Sequence, residues 1–404
     1  MRIFIKSAPD NALSPVLISL CLGVTCLIAA EFIPVSLLSI IANDLGISKG
    51  LAGQTVTAVG VVSFVTSLFV ASIFKNTDRR TLLLVLAVIL VLSNVIIAFS
   101  YNTLTLFIGR ALLGFSVGGF WSLSNAVLQR LVAPEKLAVA FSTMLSGVSI
   151  ATIVALPGAT YLSLYISWRM IFVITSVVSA VVGIALFLTL PSLIPTQSNG
   201  VKVMASLLKE KIVCYGLLGT FLSYGGYHVI FTYIRLFFEE KLHIDSSWFT
   251  ALMLIYASLN IAGTMLAGKI FSLTFKRFFK LVPLYMLVCV VLMLVLNNTA
   301  LMALPLFLFA LGFGLIPVAW SLWAIYTIPK QTEIAGGLSV AITQLAVAVA
   351  AIVGGNLYDN FGLDYILYIS LIVELILWGL IGKTLKEQHP VKHEFKTVGT
   401  LNKA

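Results

Sequence analysis

The sequence predicts an all-α membrane protein in which twelve transmembrane helices form two pseudo-repeats of six. Hydrophobic residues make up 60% of the 404 residues and charged residues only 10%, whereas soluble globular proteins contain about 25% charged residues. A chain with so few charges cannot cover a surface that faces water. Its apolar residues also fall in runs that are long enough for a helix to cross a bilayer.

Twelve apolar runs are separated by polar gaps, and none of these gaps is long enough to form a soluble domain. We therefore predict an N-terminal six-helix half over residues 1–190 and a C-terminal six-helix half over 212–384. A cytoplasmic linker, 191–211, lies between them, and a cytoplasmic tail covers 385–404. The predicted spans are 16–41, 52–74, 81–100, 104–131, 138–163, 170–190, 212–237, 247–271, 279–297, 300–326, 335–358 and 364–383.

The distribution of lysine and arginine indicates the orientation in the membrane. If the N-terminus is cytoplasmic, the outer segments hold Lys49, Arg169, Arg235 and Lys241, and Arg110 lies inside a span. All the other lysines and arginines then lie in inner segments. Because basic residues accumulate on the cytoplasmic side, both termini are expected in the cytoplasm. The first apolar run is too long for a signal-peptide core and lacks a small-residue cleavage site, so we expect a retained span.

The composition argues against several other classes of protein. The net charge is +10, but the basic residues lie in the gaps between spans, so no nucleic-acid partner is expected. The four cysteines fall in apolar runs and are expected to be small core residues, neither disulfide partners nor metal ligands. Gly263–Lys269 has the glycine and lysine spacing of a phosphate loop but is followed by Ile270, where such a loop has serine or threonine. Gly114–Gly118 has the spacing of a nucleophile elbow but lies inside predicted span four, not at a strand-to-helix turn. We therefore expect a monomeric transporter, not an enzyme, with no cofactor or metal, whose partners are a small-molecule substrate, protons and the lipid bilayer.

Glu31 lies inside the first apolar run, three residues before Pro34. A charged residue at the bilayer centre costs about 3 kcal/mol on insertion-based scales, so such residues normally face a cavity and carry a function. Burial disfavours the charged form of a carboxyl group, which allows a glutamate in a cavity to bind and release protons near neutral pH. We predict that Glu31 is a proton-coupling site. The alternative is a permanent ion pair with Arg110 that joins spans one and four, and the two roles can coexist.

Arg110 and Glu374 are the other acidic or basic side chains, histidine aside, that lie deep in the predicted spans. The Arg110 guanidinium stays protonated in proteins, so it cannot relay a proton by titrating. We expect Arg110 either to act on a nearby carboxylate at a helix interface or to extend to the membrane surface. Glu374, near the middle of the last span, is expected to be a second proton-coupling site or a protonated group bonded to a neighbouring helix.

A set of aromatic and amide side chains within the spans is predicted to line a substrate pocket. Rings can stack on a flat ligand and amides can bond to its edge, although most aromatic residues in membrane helices serve packing or interfacial anchoring. His228 has either this role or a structural one, and it follows Gly225 and Gly226, which we expect to form a flexible point. The predicted substrate-binding residues are Gln54, Trp121, Tyr227, His228, Asn260, Trp320 and Gln344.

The two halves share a short motif. Phe120-Trp121-Ser122-Leu123 in span four matches Ala319-Trp320-Ser321-Leu322 in span ten. This match predicts that Trp121 and Trp320 occupy the same place in two parallel repeats that meet at a central site.

Short stretches from span one to span ten, and more weakly residues 344–359, carry a family pattern. The stretches are Glu31-Phe32-Ile33-Pro34-Val35-Ser36-Leu37-Leu38, Asp44-Leu45-Gly46-Ile47-Ser48, Ala52-Gly53-Gln54-Thr55-Val56-Thr57, Thr77-Asp78-Arg79-Arg80, Ile108-Gly109-Arg110-Ala111-Leu112-Leu113-Gly114, Gly118-Gly119-Phe120-Trp121, Ser167-Trp168-Arg169-Met170-Ile171-Phe172, Phe231-Thr232-Tyr233-Ile234-Arg235 and Pro317-Val318-Ala319-Trp320-Ser321. On these stretches the chain resembles the major facilitator superfamily, drug/proton antiporter type. Within it, the resemblance is closest to bacterial purine ribonucleoside efflux pumps and the related sugar-efflux group.

The resemblance implies proton-driven export by alternating access across a bacterial cytoplasmic (inner) membrane, with Glu31 as the membrane acid and Arg110 as the span-four arginine. We therefore predict proton-coupled efflux of a small polar organic molecule, with purine ribonucleosides as the first candidate. One alternative is efflux of sugars or drugs by the same mechanism. Another is a transporter-like membrane receptor that binds its ligand without moving it.

The resemblance also implies a gating loop between spans two and three, which would contain Asp78, Arg79 and Arg80. The acidic residue that this family usually carries there is absent, because Lys75 stands at its position, and Asp78 lies near enough to replace it. The antiporter pattern of span five is incomplete as well, although Pro157 still marks a weak point in that helix.

Overall fold

In the computed structural model, every regular element of the described residues is helical. A helix satisfies its backbone hydrogen bonds within its own segment, as the bilayer interior requires. Most of the predicted linker (194–204) and of the predicted tail (387–404) lies outside the described residues, as do Arg2 and Lys6. The structure describes residues 10–132, 137–193, 205–244, 246–296, 299–328 and 332–386.

The helices follow the order of the predicted spans. Two π-helical turns accompany them: Ala151–Ala155 joins α6 to α7, and Phe237–Lys241 follows α10. The α-helices are α1 (Asp10–Ser36), α2 (Leu38–Leu45), α3 (Lys49–Ile73), α4 (Arg79–Ala98), α5 (Thr103–Leu131), α6 (Leu137–Ile150), α7 (Leu156–Leu162), α8 (Trp168–Thr189), α9 (Lys211–Phe231), α10 (Ile234–Leu236), α11 (Ser246–Val295), α12 (Thr299–Thr327), α13 (Thr332–Phe361) and α14 (Leu363–Lys386).

Within the described part of the chain, eleven helical segments are long and apolar enough to cross a membrane. They correspond to all the predicted spans except span seven. That span is α9, which has 21 residues and is therefore about 32 Å long, enough for a bilayer. Its lysine, its glycines and tyrosines and His228 lower its hydropathy below that of these eleven segments. The all-α membrane fold is thus confirmed, and α9 stands in the place of the remaining predicted span.

Predicted spans eight and nine both lie in α11, as two helices separated by a kink at Thr274. The sequence gap between these spans, 272–278, carries one lysine and one arginine but neither glycine nor proline. Thr274, with φ −158° and ψ 92°, leaves helical geometry inside this gap, so the two predicted spans are separate helices.

Span five contains the weak point expected near Pro157. The π-helical turn Ala151–Ala155 lies directly before Leu156 and Pro157. Proline has no backbone N–H to donate to the preceding turn, and such defects commonly accompany π-helical turns in α-helices.

Span seven is not broken at Gly225 and Gly226, contrary to expectation, because α9 runs through both residues to Phe231. Gly226 is a close-packing position: a Cβ atom there would lie 2.7 Å from the Glu374 carboxyl oxygen Oε1. The chain leaves helical geometry instead at Tyr233, with φ −109° and ψ 17°.

Corresponding helices of the two halves make the same contacts. The Ser63 hydroxyl on α3 donates to the carbonyl oxygen of Gly114 on α5 at 3.0 Å. The Thr264 hydroxyl on α11 donates to the carbonyl oxygen of Gly314 on α12, also at 3.0 Å. Spans two and four of the first half thus pack as spans eight and ten of the second do, which is the pattern of a six-helix pseudo-repeat.

The register of this repeat differs by one residue from that predicted from the shared motif. The ring of Phe120 lies against Gly23, 2.7 Å from where a Cβ atom would stand. The ring of Trp320 lies in the same way against Gly219, at 2.3 Å. Trp320 therefore corresponds to Phe120, and Trp121 occupies a different face of its helix.

Each half has its own apolar core, and residues from both halves share a buried cluster at one end of the bundle. Val35 and Leu38 of the N-terminal half belong to the same cluster as Tyr233 and Leu236 of the C-terminal half. This end contains α2 and α10 and is the predicted outer end. The apolar contact indicates that the halves are packed against each other there.

Candidate functional site

The Glu31 carboxyl group lies at the interface between the two halves. It is buried, at 2% exposure, near the end of α1. Its Oε1 accepts a hydrogen bond from Nε2 of Gln344 on α13, at 3.1 Å, and Gln344 is 7% exposed. Two residues that the sequence predicted for different roles, proton coupling and substrate binding, are therefore in direct contact.

The Arg110 side chain binds backbone rather than a carboxylate. It is fully buried, and its guanidinium donates to the carbonyl oxygens of Thr55 at 3.1 Å, Ala30 at 2.7 Å and Glu31 at 2.8 Å. Among the ion pairs within 4.0 Å in the described residues, none joins Arg110 to the Glu31 carboxylate. Arg110 therefore ties α1 and α3 to α5, and neither the ion pair nor the surface-extended alternative describes its position.

The partner of the Glu31 carboxyl is thus a neutral amide. The NH₂ group of an amide donates to an ionised carboxylate, while its carbonyl oxygen can accept from a protonated carboxyl. After a rotation of the amide, Gln344 can therefore bond either protonation state of Glu31. The positive charge of Arg110 lies close by, held on the backbone of α1.

Aromatic rings from both halves stack beside this pair. Phe32, which follows Glu31, stacks on the His228 ring with centroids 5.8 Å apart and planes 16° apart. The other stacked neighbour of His228 is Tyr224, at 6.3 Å and 8°. His228 is 5% exposed, and its Nδ1 has no hydrogen-bond partner among the described residues. An aromatic stack therefore crosses from α1 to α9 next to the buried acid.

The remaining predicted substrate-binding residues are dispersed. Tyr227 is buried and accepts a hydrogen bond from the Tyr256 hydroxyl at 3.1 Å, and Asn260 donates to the Ala310 carbonyl oxygen at 3.3 Å. Trp320 is 7% exposed and lies inside the C-terminal half. Gln54 on α3 and Trp121 on α5 are half-buried. The structure brings Gln344 into contact with Glu31 and His228 into contact with the next residue, Phe32. The part of each residue in substrate binding stays a prediction.

Trp320 and Glu374 lie together, away from Glu31. The Trp320 indole N–H donates to the Ser223 hydroxyl at 2.9 Å. Ser223, Trp320 and Glu374 line a small cavity. Glu374 is fully buried, and neither of its carboxyl oxygens has a hydrogen-bond partner among the described residues.

The predicted gating loop is tied to the end of span six. The Asp78 carboxylate accepts hydrogen bonds from the Ser192 hydroxyl, from the Leu193 N–H at 2.9 Å and from the Arg80 N–H at 2.8 Å. Burial, the largest single effect, raises the pKa of Asp78, but these hydrogen bonds and the Arg80 charge together outweigh it, so the pKa is lowered. The Arg79 N–H donates to the Leu193 carbonyl oxygen at 3.1 Å, and the Arg80 guanidinium to that of Phe187 at 2.7 Å.

Arg235 joins the two halves at the predicted outer end. It is 3% exposed, pairs with the Glu239 carboxylate at 2.7 Å and donates to the carbonyl oxygen of Ser36 in the other half. Glu239 in turn accepts from the Ser39 hydroxyl at 2.6 Å. Because Arg235 of α10 is buried against α1, separation of the halves would expose its charge to water or leave it buried without the Ser36 carbonyl oxygen.

Asp359 caps a helix of the opposite half. Its carboxylate accepts from the backbone N–H of Gly50 at 2.9 Å and from the Ser48 hydroxyl, both at the N-terminus of α3. A carboxylate at a helix N-terminus satisfies unpaired N–H groups and interacts favourably with the helix dipole. The Tyr233 hydroxyl also reaches across the interface, lying 3.3 Å from the Gly50 carbonyl oxygen and 2.7 Å from that of Ala351.

A surface ion pair between Lys49 and Glu240, at 2.8 Å, completes these contacts, which we call the outer clamp. From the sequence, Lys49 was only a charge of an outer segment and Arg235 such a charge within a family stretch, and Asp359 was given no role. Acidic and basic residues are common at the ends of spans, so no sequence signal separates clamp residues from other surface charges. The outer clamp consists of Ser36, Ser39, Ser48, Lys49 and Gly50 in the N-terminal half and Tyr233, Arg235, Glu239, Glu240 and Asp359 in the C-terminal half.

Comparisons with known proteins agree with this architecture. A family model described as the Major Facilitator Superfamily matches residues 20–338. The chain is 36% identical over 341 residues to proteins named purine ribonucleoside efflux pump NepI from Salmonella enteritidis, Salmonella gallinarum and Salmonella typhi. Each match covers 84% of this chain and 86% of the relative.

Solved structures show the same fold at low sequence identity. Two are of a bacterial homolog of the human lysosomal transporter Spinster, one inward-facing and unoccupied and the other inward-facing and occupied, and both are 13% identical to this chain. The TM-scores are 0.76 and 0.74, and the alignments cover 93% and 94% of this chain and 98% of each solved chain. The family model and the relatives together show that the chain belongs to the Major Facilitator Superfamily of membrane transporters.

Proposed function

We propose that the protein exports purine ribonucleosides across a bacterial cytoplasmic membrane in exchange for protons, with both termini in the cytoplasm. The observation that carries the proposal is the buried hydrogen bond between Glu31 and Gln344, which links an acid of one half to an amide of the other. The relatives at 36% identity, which are named purine ribonucleoside efflux pumps, support the choice of substrate.

Glu31 is the proton-carrying group of this proposal. In the described conformation it is bonded to Gln344 and shielded from water. When the halves separate, Gln344 moves away on α13, water reaches the carboxyl group, and its proton can exchange. Arg110 keeps its charge throughout, and it positions the backbone of α1 through three carbonyl oxygens.

The aromatic stack beside Glu31 supports a flat ligand. Parallel rings such as those of Phe32, His228 and Tyr224 show that flat groups can pack at this interface, and a purine base can stack on such rings. The unpaired Nδ1 of His228 is a hydrogen-bonding group that a base edge or a ribose hydroxyl can satisfy. Gln54 and Trp121 remain half-buried and available for the rest of the ligand.

The outer clamp gives the proposal a direction. Contacts from both halves hold the predicted outer end together, so a nucleoside at the Glu31 site cannot leave there until these contacts break. Export requires this opening once in each cycle, and proton entry from outside accompanies it.

The test uses inverted membrane vesicles, in which export appears as uptake. With a proton gradient, labelled inosine or guanosine should accumulate, and collapse of the gradient should abolish the accumulation. Glu31→Gln should lose gradient-driven accumulation but retain exchange of labelled for unlabelled nucleoside, which needs no net proton movement. The matched control is Asp44→Asn, an acid-to-amide change at a surface pair with Arg169 inside the N-terminal half.

Gradient-driven accumulation that survives Glu31→Gln would remove proton coupling through this residue. If the wild-type protein accumulates neither nucleoside, purine ribonucleosides are not its substrates, and a panel of sugars and drugs follows. Binding of a ligand without any accumulation would favour the receptor alternative.

A further inference from the structure

A second buried acid lies in the C-terminal half, outside the Glu31 site. The Glu374 side chain is fully buried on α14, and neither carboxyl oxygen has a hydrogen-bond partner among the described residues. An ionised carboxylate in such surroundings is strongly disfavoured unless it is paired. Glu374 therefore carries its proton in this conformation.

The cavity beside Glu374 has room for a small polar guest. Its volume is about 10 Å³, which is the space of one water molecule. Ser223 and Trp320 line it opposite Glu374. The Ser223 hydroxyl donates to the Gly219 carbonyl oxygen at 2.8 Å and accepts from Trp320 at 2.9 Å, which leaves one acceptor position free. A water molecule can thus accept a hydrogen bond from the protonated Glu374 carboxyl group and donate one to the Ser223 hydroxyl.

The corresponding cavity of the N-terminal half lacks an acid. It is lined by Leu27, Phe120 and Ser179, at the places where the C-terminal cavity has Ser223, Trp320 and Glu374. The helix packing of the two cavities is the same, so the acid is not needed to hold this type of packing together. Glu374 is a feature of one half only.

Among the described residues that line the cavity there is no lysine, arginine or histidine. On α11, the titratable groups near Glu374 are the Cys289 thiol and, beside it, the Tyr285 hydroxyl. The facing groups on α9 and α12 are the Ser223 hydroxyl and the Trp320 indole. No described cation therefore compensates the charge that Glu374 would acquire on losing its proton.

We propose that Glu374 and its cavity form a second proton-binding site, which exchanges its proton during the transport cycle; the exchange step rests on the proposed function. The site lies directly behind the substrate interface, because Gly226 contacts Glu374 and the next residues, Tyr227 and His228, face the aromatic stack. A shift of α9 that accompanies ligand movement changes the space at Gly226, wets the cavity and lets the proton leave.

Protonation is tested by infrared spectroscopy of the full-length protein in lipid at pH 7. The wild-type spectrum should contain a carbonyl band of a protonated carboxyl group that is lost in Glu374→Gln and kept in Glu31→Gln. An exposed aspartate is protonated in only about one molecule in a thousand at this pH, so surface acids do not contribute. Absence of a Glu374-dependent band overturns the proposal.

The water link between Glu374 and Ser223 is tested by a second variant, which keeps the Glu374 carboxyl group and disturbs folding less. Ser223→Ala should shift the frequency of the Glu374 band, because the bridging water loses its acceptor. An unchanged frequency contradicts the water link.

Exchange is tested by the proton-to-nucleoside ratio in proteoliposomes. Glu374→Gln should move one proton fewer per nucleoside than the wild type while the nucleoside is still carried. An unchanged ratio overturns the exchange step and leaves Glu374 as a structural acid. A wild-type protein that carries no nucleoside fails the proposed function instead, and the infrared measurement still decides whether Glu374 holds a proton.

Discussion

Replacing Asp359 by asparagine should weaken the outer clamp and shift the transporter towards the conformation that is open at the predicted outer end. The carboxylate uses both oxygens, one for the Gly50 N–H and one for the Ser48 hydroxyl. Asparagine keeps one acceptor oxygen, loses the other and removes the charge at the α3 N-terminus.

The size of the effect follows from these two losses. A side-chain cap at a helix N-terminus stabilises by about 1 kcal/mol, and the charge–dipole contribution adds up to about 1 kcal/mol. Asp359 is exposed, so solvent screens the charge and a total of about 1 kcal/mol is the appropriate figure. This corresponds to a roughly fivefold increase in the ratio of outer-open to outer-closed molecules.

Spin labels on the two halves measure this ratio. Leu104 and Trp248 lie at the start of α5 and of α11, and they are 70% and 67% exposed. Cysteines can be placed at both positions in a Cys214→Ser background, since Cys214 is the exposed native thiol and the other three are buried. In Asp359→Asn the longer-distance population should grow about fivefold.

The matched control is Asp364→Asn. Asp364 pairs with Lys241 within the C-terminal half at the same end of the bundle, so this variant should leave the distance distribution unchanged. An unchanged distribution in Asp359→Asn, or an equal change in both variants, would refute the role given to the cap.

Three further predictions concern other contacts of the N- and C-terminal halves. Arg110→Lys should lower the free energy of unfolding by about 2–5 kcal/mol, because lysine cannot bond to three carbonyl oxygens at once. Arg80→Lys is the control. If the two variants have equal melting temperatures, Arg110 does not stabilise the fold through its backbone contacts. Asp78→Asn should lower the melting temperature at neutral pH. The lowered pKa means that the stabilisation is present above the ordinary pKa of aspartate and is lost as pH falls through the folded-state value. The difference in melting temperature between wild type and Asp78→Asn should therefore vanish in acid. A difference that does not change with pH would refute the role given to the Asp78 carboxylate. Trp320→Ala should lower the free energy of unfolding by about 3 kcal/mol. Trp121→Ala should instead weaken nucleoside binding while stability stays close to that of the wild type. An unchanged affinity for the nucleoside would mean that Trp121 serves only in packing.

The fold was largely predictable because the bilayer imposes simple rules on sequence. Run length and the positions of Lys and Arg identified the spans, and only a helix satisfies the backbone within each of them. The predicted gap before span nine is confirmed, because the kink at Thr274 separates two helices there. The flexible point predicted at Gly225 and Gly226 was wrong, because the sequence does not show that a carboxyl group packs against Gly226.

The site was predictable residue by residue but not as an arrangement. A buried acid such as Glu31 is rare enough to be noticed in any span, and Gln344 could be named as an amide in another. The two residues are 313 positions apart in the sequence, and their contact depends on how the halves pack. No local sequence pattern predicts such a contact. Arg110 was expected near a carboxylate, yet its bonds are to backbone carbonyl oxygens, which every residue possesses and which leave no trace in sequence.

The three carbonyl bonds of Arg110 also bear on what moves during transport. They fasten α1, α3 and α5 to one another on the side where Glu31 projects, so the acid has a fixed position within its own half. Its partner Gln344 belongs to the other half. The bond between them therefore depends on the contact between the halves, and in the function proposed above its loss on opening of the bundle is what exposes the Glu31 carboxyl group.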